Sequence, residues 1–226
     1  MRVLAIDTAL EACAAAVLDT ERGKVVSESL PMVRGHAEAL MPLIGRVMKQ
    51  AETAFSALDR IAVTTGPGSF TGLRVGIAAA RGIALAATKP AFGLTTLAAY
   101  AAPLIAHDDK TTVVVAIDAR HQHVYLQIFS PGGRTQIAPR IASVADAVRA
   151  AANGEVRIVG TGANMLASAW PSREPPPALV DDRRAPDIVW VGRLAVAADE
   201  GMSEPKPLYL RAPDAQPQDA ARLPRR

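Results

Sequence analysis

Cysteine is almost absent: Cys13 stands alone among 226 residues. A single thiol excludes an internal disulfide framework and any metal site built from several cysteines. It fits a reducing compartment. Histidine is scarce, at 4 residues, and aromatic residues make up 4%, so no stacking platform for nucleic-acid bases is evident. Lysine numbers 5 against 20 arginines, while alanine numbers 45; both biases read as genome composition before function. No basic segment followed by a clean apolar run opens the chain, and no signal peptide is expected. The longest apolar region, 82–106, is cut by Lys89, Pro90 and Pro103 and makes a poor membrane span. What is present is a globular balance, 50% hydrophobic and 21% charged, neither disordered nor fibrous. The net charge of +3 permits contact with nucleic acid without requiring it. The length suits one large domain or two lobes of about 100 residues each.

Three short apolar runs, 3–7, 13–18 and 24–30, predict a meander of strands. Residues 36–51 show helical spacing through Leu40, Leu43, Ile44, Val47 and Met48, with Pro42 expected to kink the helix or start its regular part. A buried strand over 60–64, a Gly/Pro-rich turn over 66–72, a helix over 71–88 and a strand over 91–94 complete this half. The order then restarts with strands at 112–118, 124–129 and 135–141, a helix at 143–152, a strand at 156–159 and a short helix at 163–170. Ala5-Ile6-Asp7 recurs as Ala116-Ile117-Asp118, each at the end of a first strand. Together with the repeated order, this indicates an internal duplication. Residues 171–186 read as a connector, 187–200 as a helix capped by Asp187 and stopped by Gly201, and 212–226 as a disordered tail.

Several residues are candidates for chemistry. The turn Gly66-Pro67-Gly68-Ser69-Phe70-Thr71-Gly72 joins a strand to a helix. Its amides could bind an anion, or it could be a tight turn with a Ser/Thr cap. It is not a Walker A loop, because no Gly-Lys-Ser/Thr follows. Asp7 and Asp118 each end a first strand, as the facing carboxylates of sugar-kinase and actin-like folds do. They could equally cap strand-end turns, since Asp7 is followed by Thr8-Ala9-Leu10 without the glycine a phosphate approach needs. His121 and His123 share one strand face but have no third ligand near in sequence. His36 lacks an i, i+4 partner because position 40 is Leu40. Cys13 reads as a packed strand residue.

The helix over 71–88 carries only Arg74 and Arg81 as charges and is apolar nearly all round. Such a helix is buried on two sides, either inside its own lobe or against a partner. Gly72, Gly76 and Ala80 would let another backbone approach. With Leu73, Val75, Ala79 and Ile83, and with Ala37, Met41, Gly45 and Met48 on the preceding helix, they form the expected partner or dimer interface.

His36-Ala37-Glu38-Ala39-Leu40-Met41-Pro42, the run from Thr65 to Gly76 and Ile117-Asp118-Ala119-Arg120 resemble the bacterial TsaB (YeaZ) family. The opening Leu4-Ala5-Ile6-Asp7-Thr8-Ala9 and the late Tyr209-Leu210-Arg211 agree, so the resemblance covers 1–211. His121-Gln122-His123 departs from the family's usual small or acidic pair. The resemblance implies an α/β fold with two similar lobes of the actin/Hsp70/sugar-kinase type. The lobes are expected at 1–104 and 105–185, with an extension over 186–211 packing back on them. It also implies a cytoplasmic, non-catalytic scaffold for making threonylcarbamoyladenosine on tRNA. The implied partners are a TsaD-like paralogue and a TsaE-like ATPase, with a homodimer in their absence, indirect tRNA contact and no membrane. No catalytic or metal residue is expected. ATP or ADP with Mg is expected only with the partner complex, through Asp7, Gly68, Ser69, Asp118 and Arg120. The competing readings are an ATP-dependent small-molecule kinase or transferase of the same fold and, less favoured for want of a metal triad, a metallopeptidase.

Overall fold

The computed structural model describes residues 1–198 and 204–211. The apolar runs at the start form an antiparallel meander of β1 (Arg2–Asp7), β2 (Ala12–Asp19) and β3 (Lys24–Pro31). β2 is buried along its whole length, whereas β3 alternates between half-buried and exposed positions at the sheet edge. β4 (Arg60–Gly66) and β5 (Ala91–Thr95) extend the sheet in parallel on the other side of β1, giving the order β3-β2-β1-β4-β5.

The second half repeats this wiring. β6 (Thr112–Asp118), β7 (His123–Phe129) and β8 (Thr135–Ser143) form a meander. β9 (Val156–Val159) and β10 (Leu179–Asp181) pair in parallel beside β6, so the order is β8-β7-β6-β9-β10. The helices fall at equivalent places. α1 (His36–Gln50) and α4 (Val144–Ala151) follow the meanders, and α2 (Phe70–Ala87) and α5 (Ala163–Ser168) join the parallel strands. α3 (Thr96–His107) and α6 (Ile188–Ala197) follow the last strands. The duplicated tripeptide marks a duplicated topology, and the fold is of the actin/Hsp70/sugar-kinase type.

α3 and α6 trade places between the lobes. α3 follows the first sheet but sets Leu97, Tyr100 and Ala101 against Val113, Val115 and Ile117 of the second. α6 follows the second sheet but covers Val3, Ala5, Ala16 and Leu18 of the first. Gly192 allows that approach, because a Cβ there would press on the Leu18 side chain. Arg60, buried at the start of β4, fixes the end of α6. Its Nη1 donates to the carbonyls of Ala195 (2.8 Å) and Ala198 (2.9 Å), and its guanidinium lies 5.0 Å from the centre of the Phe92 ring.

Some elements differ from the sequence reading. α3 is a helix for which the sequence shows no amphipathic spacing: it lies in the apolar stretch with Pro103 inside it and its first turn capped by Thr95, whose hydroxyl accepts from the Ala98 amide. β10 is a three-residue edge strand inside the expected connector. α2 begins one residue early, at Phe70, capped by Ser69. Pro42 sits inside α1 at an exposed position and neither starts nor ends the helix. Asp187 caps α6, accepting from the Val189 amide at 2.9 Å, and the helix ends at Ala197. Gly201 and the tail 212–226 lie outside the described residues. α2 is long and apolar enough to cross a bilayer, but Leu73, Ile77, Ala80 and Ala84 are packed into the first lobe's core.

Candidate functional site

The Gly-rich turn and the end of β1 form one interlocked unit. Asp7 is fully buried; its Oδ1 accepts from the Ala9 amide at 3.1 Å and from the Thr64 hydroxyl. Its Oδ2 has no hydrogen-bond partner. Burial pushes the Asp7 carboxyl above the usual range, opposed by the Thr64 and Ala9 hydrogen bonds and by nearby His36. The next two residues then close over the turn. The Thr8 hydroxyl donates to the Gly72 carbonyl at 2.7 Å, and the Ser69 amide donates to the Ala9 carbonyl at 2.7 Å. A Cβ at Gly68 would strike the Ala9 carbonyl, and one at Gly72 the Thr8 carbonyl. Glycine is therefore required by close backbone approach. Ser69 caps α2 by accepting from the Gly72 amide at 3.3 Å. The turn is thus a tight one capped by Ser69, whose own amide is bonded to Ala9 within the chain.

Beside this unit lies an interlobe cleft of about 620 Å³. The first lobe contributes Leu10, Glu11, Arg34, Gly68, Ser69 and Phe70; the second contributes Ile117, Asp118, Arg120, Tyr125 and Thr161, with Arg184 and Arg211 closing the rim. Four of the five residues named for a nucleotide thus meet here: Gly68, Ser69, Asp118 and Arg120. Asp7 does not, and that expectation is corrected, because its carboxylate is fully buried against the Thr64 hydroxyl and the Ala9 amide. The two aspartates that end equivalent strands therefore differ. Asp118 is exposed, and its Oδ1 accepts from the Arg120 amide at 2.7 Å. Arg120, His121 and Gln122 run consecutively through positive φ, at 63°, 51° and 58°. This left-handed turn is returned to β7 by the His123 amide, which donates to the Arg120 carbonyl at 3.0 Å. It was not legible as such, since none of the three is glycine. It also separates the histidines: His121 lies in the turn and only His123 on β7, so they do not share a strand face. At the end of β1 the chain's own backbone closes over the turn, with Ala9 against Gly68 and Thr8 against Gly72.

The other candidates resolve into packing. His36 is buried at the start of α1, with Nε2 3.1 Å from the Leu10 carbonyl oxygen. Leu40, four residues on, is buried apolar surface. Among the described residues, no three His, Cys, Asp or Glu side chains are grouped to hold a metal. Cys13 is buried in β2, and burial pushes its thiol up to about 11.

The expected interface is corrected in register. Met48, Gly72, Leu73, Gly76 and Ala80 are buried within the first lobe, facing its own sheet. A Cβ at Gly76 would meet the Thr8 hydroxyl, with Val63 behind it. Gly72 and Gly76 thus make room for the first loop. Ala37, Met41 and Gly45 are exposed, and Val75 and Ala79 are half-buried. An apolar groove of about 480 Å³ does run between α1 and α2, one helical face away. Ile83 floors it, and Met41, Phe55, Ala79, Gly82, Ala86 and Ala87 form its walls. Leu85 stands nearby, 84% exposed.

Comparisons with known proteins agree with this architecture. The family model described as TsaD, tRNA N6-adenosine threonylcarbamoyltransferase, matches residues 30–192. The tRNA threonylcarbamoyladenosine biosynthesis protein TsaB of Escherichia coli (strain K12) is 38% identical over 125 residues, 55% of this chain. The chain spans only 53% of that relative's length. The protein of the same name from Haemophilus influenzae is 32% identical over 173 residues, 72% of each chain. Among solved structures, one described as YeaZ from Pseudomonas aeruginosa is 28% identical with a TM-score of 0.76, covering 92% of this chain and 99% of that one. A second Pseudomonas aeruginosa structure, titled an uncharacterized protein with similarity to peptidase YEAZ, is 30% identical with a TM-score of 0.80, covering 93% and 99%. With its motifs, its twinned sheets and these matches in agreement, the chain belongs to the TsaB (YeaZ) family.

Proposed function

We propose that this chain is a non-catalytic scaffold and activator subunit of the complex that transfers threonylcarbamoyl to adenosine beside the anticodon of tRNA. It supports a TsaD-like catalytic paralogue. The observation that carries this reading is the closed first loop. Thr8 and Ala9 lie on the Gly68–Gly72 turn beside the buried Asp7, where a nucleotide-using member of the fold keeps the backbone open to phosphate. Leu40, in place of a second histidine after His36, supports the same reading, because the helix cannot present a paired metal motif. On this reading the match to the transferase model is one of shared ancestry with the paralogue.

The groove between α1 and α2 is the surface for the paralogue, and for a second copy of this chain when the paralogue is absent. A contiguous apolar patch of this kind is a mark of protein–protein contact. A TsaE-like ATPase joins the assembly. ATP or ADP with Mg is engaged only within it, near Asp118 and Arg120, and tRNA is reached indirectly. The protein works in the cytoplasm without a membrane.

Reconstitution tests this. The purified chain, a TsaD-like paralogue, a TsaE-like ATPase, threonylcarbamoyl adenylate and tRNA are combined with each protein omitted in turn, and the modified nucleoside is measured by mass spectrometry. The expected result is no product from this chain alone and a strong loss of product when it is omitted. Product formed without the paralogue would overturn the reading. Tight Mg-ATP binding by the isolated chain in a calorimeter would turn it toward a kinase or transferase.

A further inference from the structure

The Tyr209-Leu210-Arg211 run has no role in the function above, yet its three residues touch three different parts of the molecule. Just before it, the Leu208 amide donates to the Thr65 carbonyl at 2.8 Å, at the end of β4. The Leu208 carbonyl lies against Gly66, where a Cβ would come within 2.8 Å of it. The Tyr209 ring sits 5.1 Å from Phe70 at the start of α2, and its hydroxyl accepts from Arg74 Nε at 3.2 Å. The Arg74 guanidinium in turn lies 3.7 Å from the centre of the Phe70 ring. Leu210 packs into the apolar cluster between the lobes, with Leu97, Tyr100 and Ile117. Arg211 then donates to the Ala119 carbonyl at 3.1 Å, in the β6–β7 turn that lines the cleft.

We propose that residues 205–211 are an interlobe clasp that sets the width of the cleft and whose release opens it. The segment is anchored to the first lobe by residues 208 and 209 and to the second by residue 211. No slack separates the anchors, so the lobes cannot part without one of them letting go. The first-lobe anchor is built to let go: Phe70 and Tyr209 are 39% and 42% exposed, and their contacts with Arg74 can be exchanged for water. A second tie across the cleft, the ion pair of Glu11 with Arg184 at 3.3 Å, is exposed on both sides. Pairs of that kind hold little, so of these two ties across the cleft the clasp is the stronger, while α3 and α6 join the lobes through buried packing. This inference stands apart from the scaffold reading and holds whichever molecules the cleft and groove receive.

The test is an interlobe distance in the full-length protein. Val33→Cys and Ala145→Cys place spin labels on exposed positions of the two lobes, while buried Cys13, its thiol pushed up, stays unlabelled. Pulsed electron–electron double resonance is then recorded on this parent, on the Tyr209→Ala/Arg211→Ala variant and on Glu11→Gln. The clasp variant is expected to shift and broaden the distribution to longer distances, with Glu11→Gln staying close to the parent. Arg211→Ala alone keeps the Leu210 packing and guards against loss of the fold in the double variant. A folded clasp variant, judged by circular dichroism, that keeps the parent distribution overturns the proposal. So does an opening by Glu11→Gln equal to that of the clasp variant.

Discussion

The Thr8 hydroxyl fills the space that any side chain at Gly76 would need, and it is held there by its hydrogen bond to the Gly72 carbonyl at 2.7 Å. β1 and α2 are therefore matched through one hydroxyl and one missing Cβ. Gly76→Ala should cost about 1–3 kcal/mol, the usual penalty for overpacking, measured by urea unfolding. Thr8→Ala removes one buried hydrogen bond, worth about 1 kcal/mol net. The double variant should lose less than the sum of the singles, because each clash partner excuses the other. Strict additivity would mean that the two sites do not share this space.

Gly82 offers the opposite case on the same helix. A Cβ there meets nothing within 4 Å, and the residue lines the α1–α2 groove. Gly82→Glu should leave the fold intact or raise its stability by up to about 1 kcal/mol, through better helix propensity. It should weaken binding of the paralogue by tenfold or more, since a carboxylate is placed in an apolar contact. Calorimetric titration against the paralogue, paired with a thermal melt, checks both halves. Unchanged affinity would take the groove out of the interface.

Asp7 should give the protein a distinctive pH dependence. Its folded carboxyl is pushed up by burial, so between the usual carboxylate pKa and the higher folded value the native state holds a proton that the unfolded state has lost. Stability from this group is present at low pH and declines as pH rises through that window. Asp7→Asn cannot ionise and should remove the decline. Wild-type stability minus that of Asp7→Asn, from unfolding curves at pH 4 to 8, should therefore fall with rising pH. A difference that is flat or rises would contradict the assignment.

Arg60 should matter more than an arginine at the start of a strand normally does. It donates to two carbonyls at the end of α6 and lies against Phe92. Hydrogen bonds from a charged donor contribute about 1.5–3 kcal/mol. Arg60→Met keeps the apolar stem and should lose stability in that range. Hydrogen exchange should show the loss first in α6, although residue 60 lies more than a hundred positions earlier in the chain.

Much of this arrangement was legible in the residues. Unbroken apolar runs gave β1, β2, β4 and β6, and the repeated Ala-Ile-Asp marked equivalent strand ends because both halves need the same turn-forming carboxylate. What was not legible depended on contacts between distant segments. α3 hid in a stretch without amphipathic rhythm because it is covered by both sheets. The glycines at 72 and 76 have two physical explanations from sequence alone, and their fit against Thr8 depends on the path of a loop more than sixty residues away. The burial of Asp7 likewise depends on its contacts with Thr64 and Ala9, which spacing does not reveal. The cleft arginines come from positions 34, 120, 184 and 211, too dispersed to read as one set.

The traded helices have a consequence during synthesis. Until residues 188–197 have left the ribosome, the face of the first sheet that carries Val3, Ala5 and Leu18 lacks the helix that covers most of it. The usual sequence in which an N-terminal domain finishes folding while the next is still being made is thus closed to this chain. Its opening strands must wait, largely bare on one side, for nearly the last helix to be translated. A nascent chain stalled before residue 188 would be a natural client for chaperones that hold exposed apolar surface, and a full-length chain would release them.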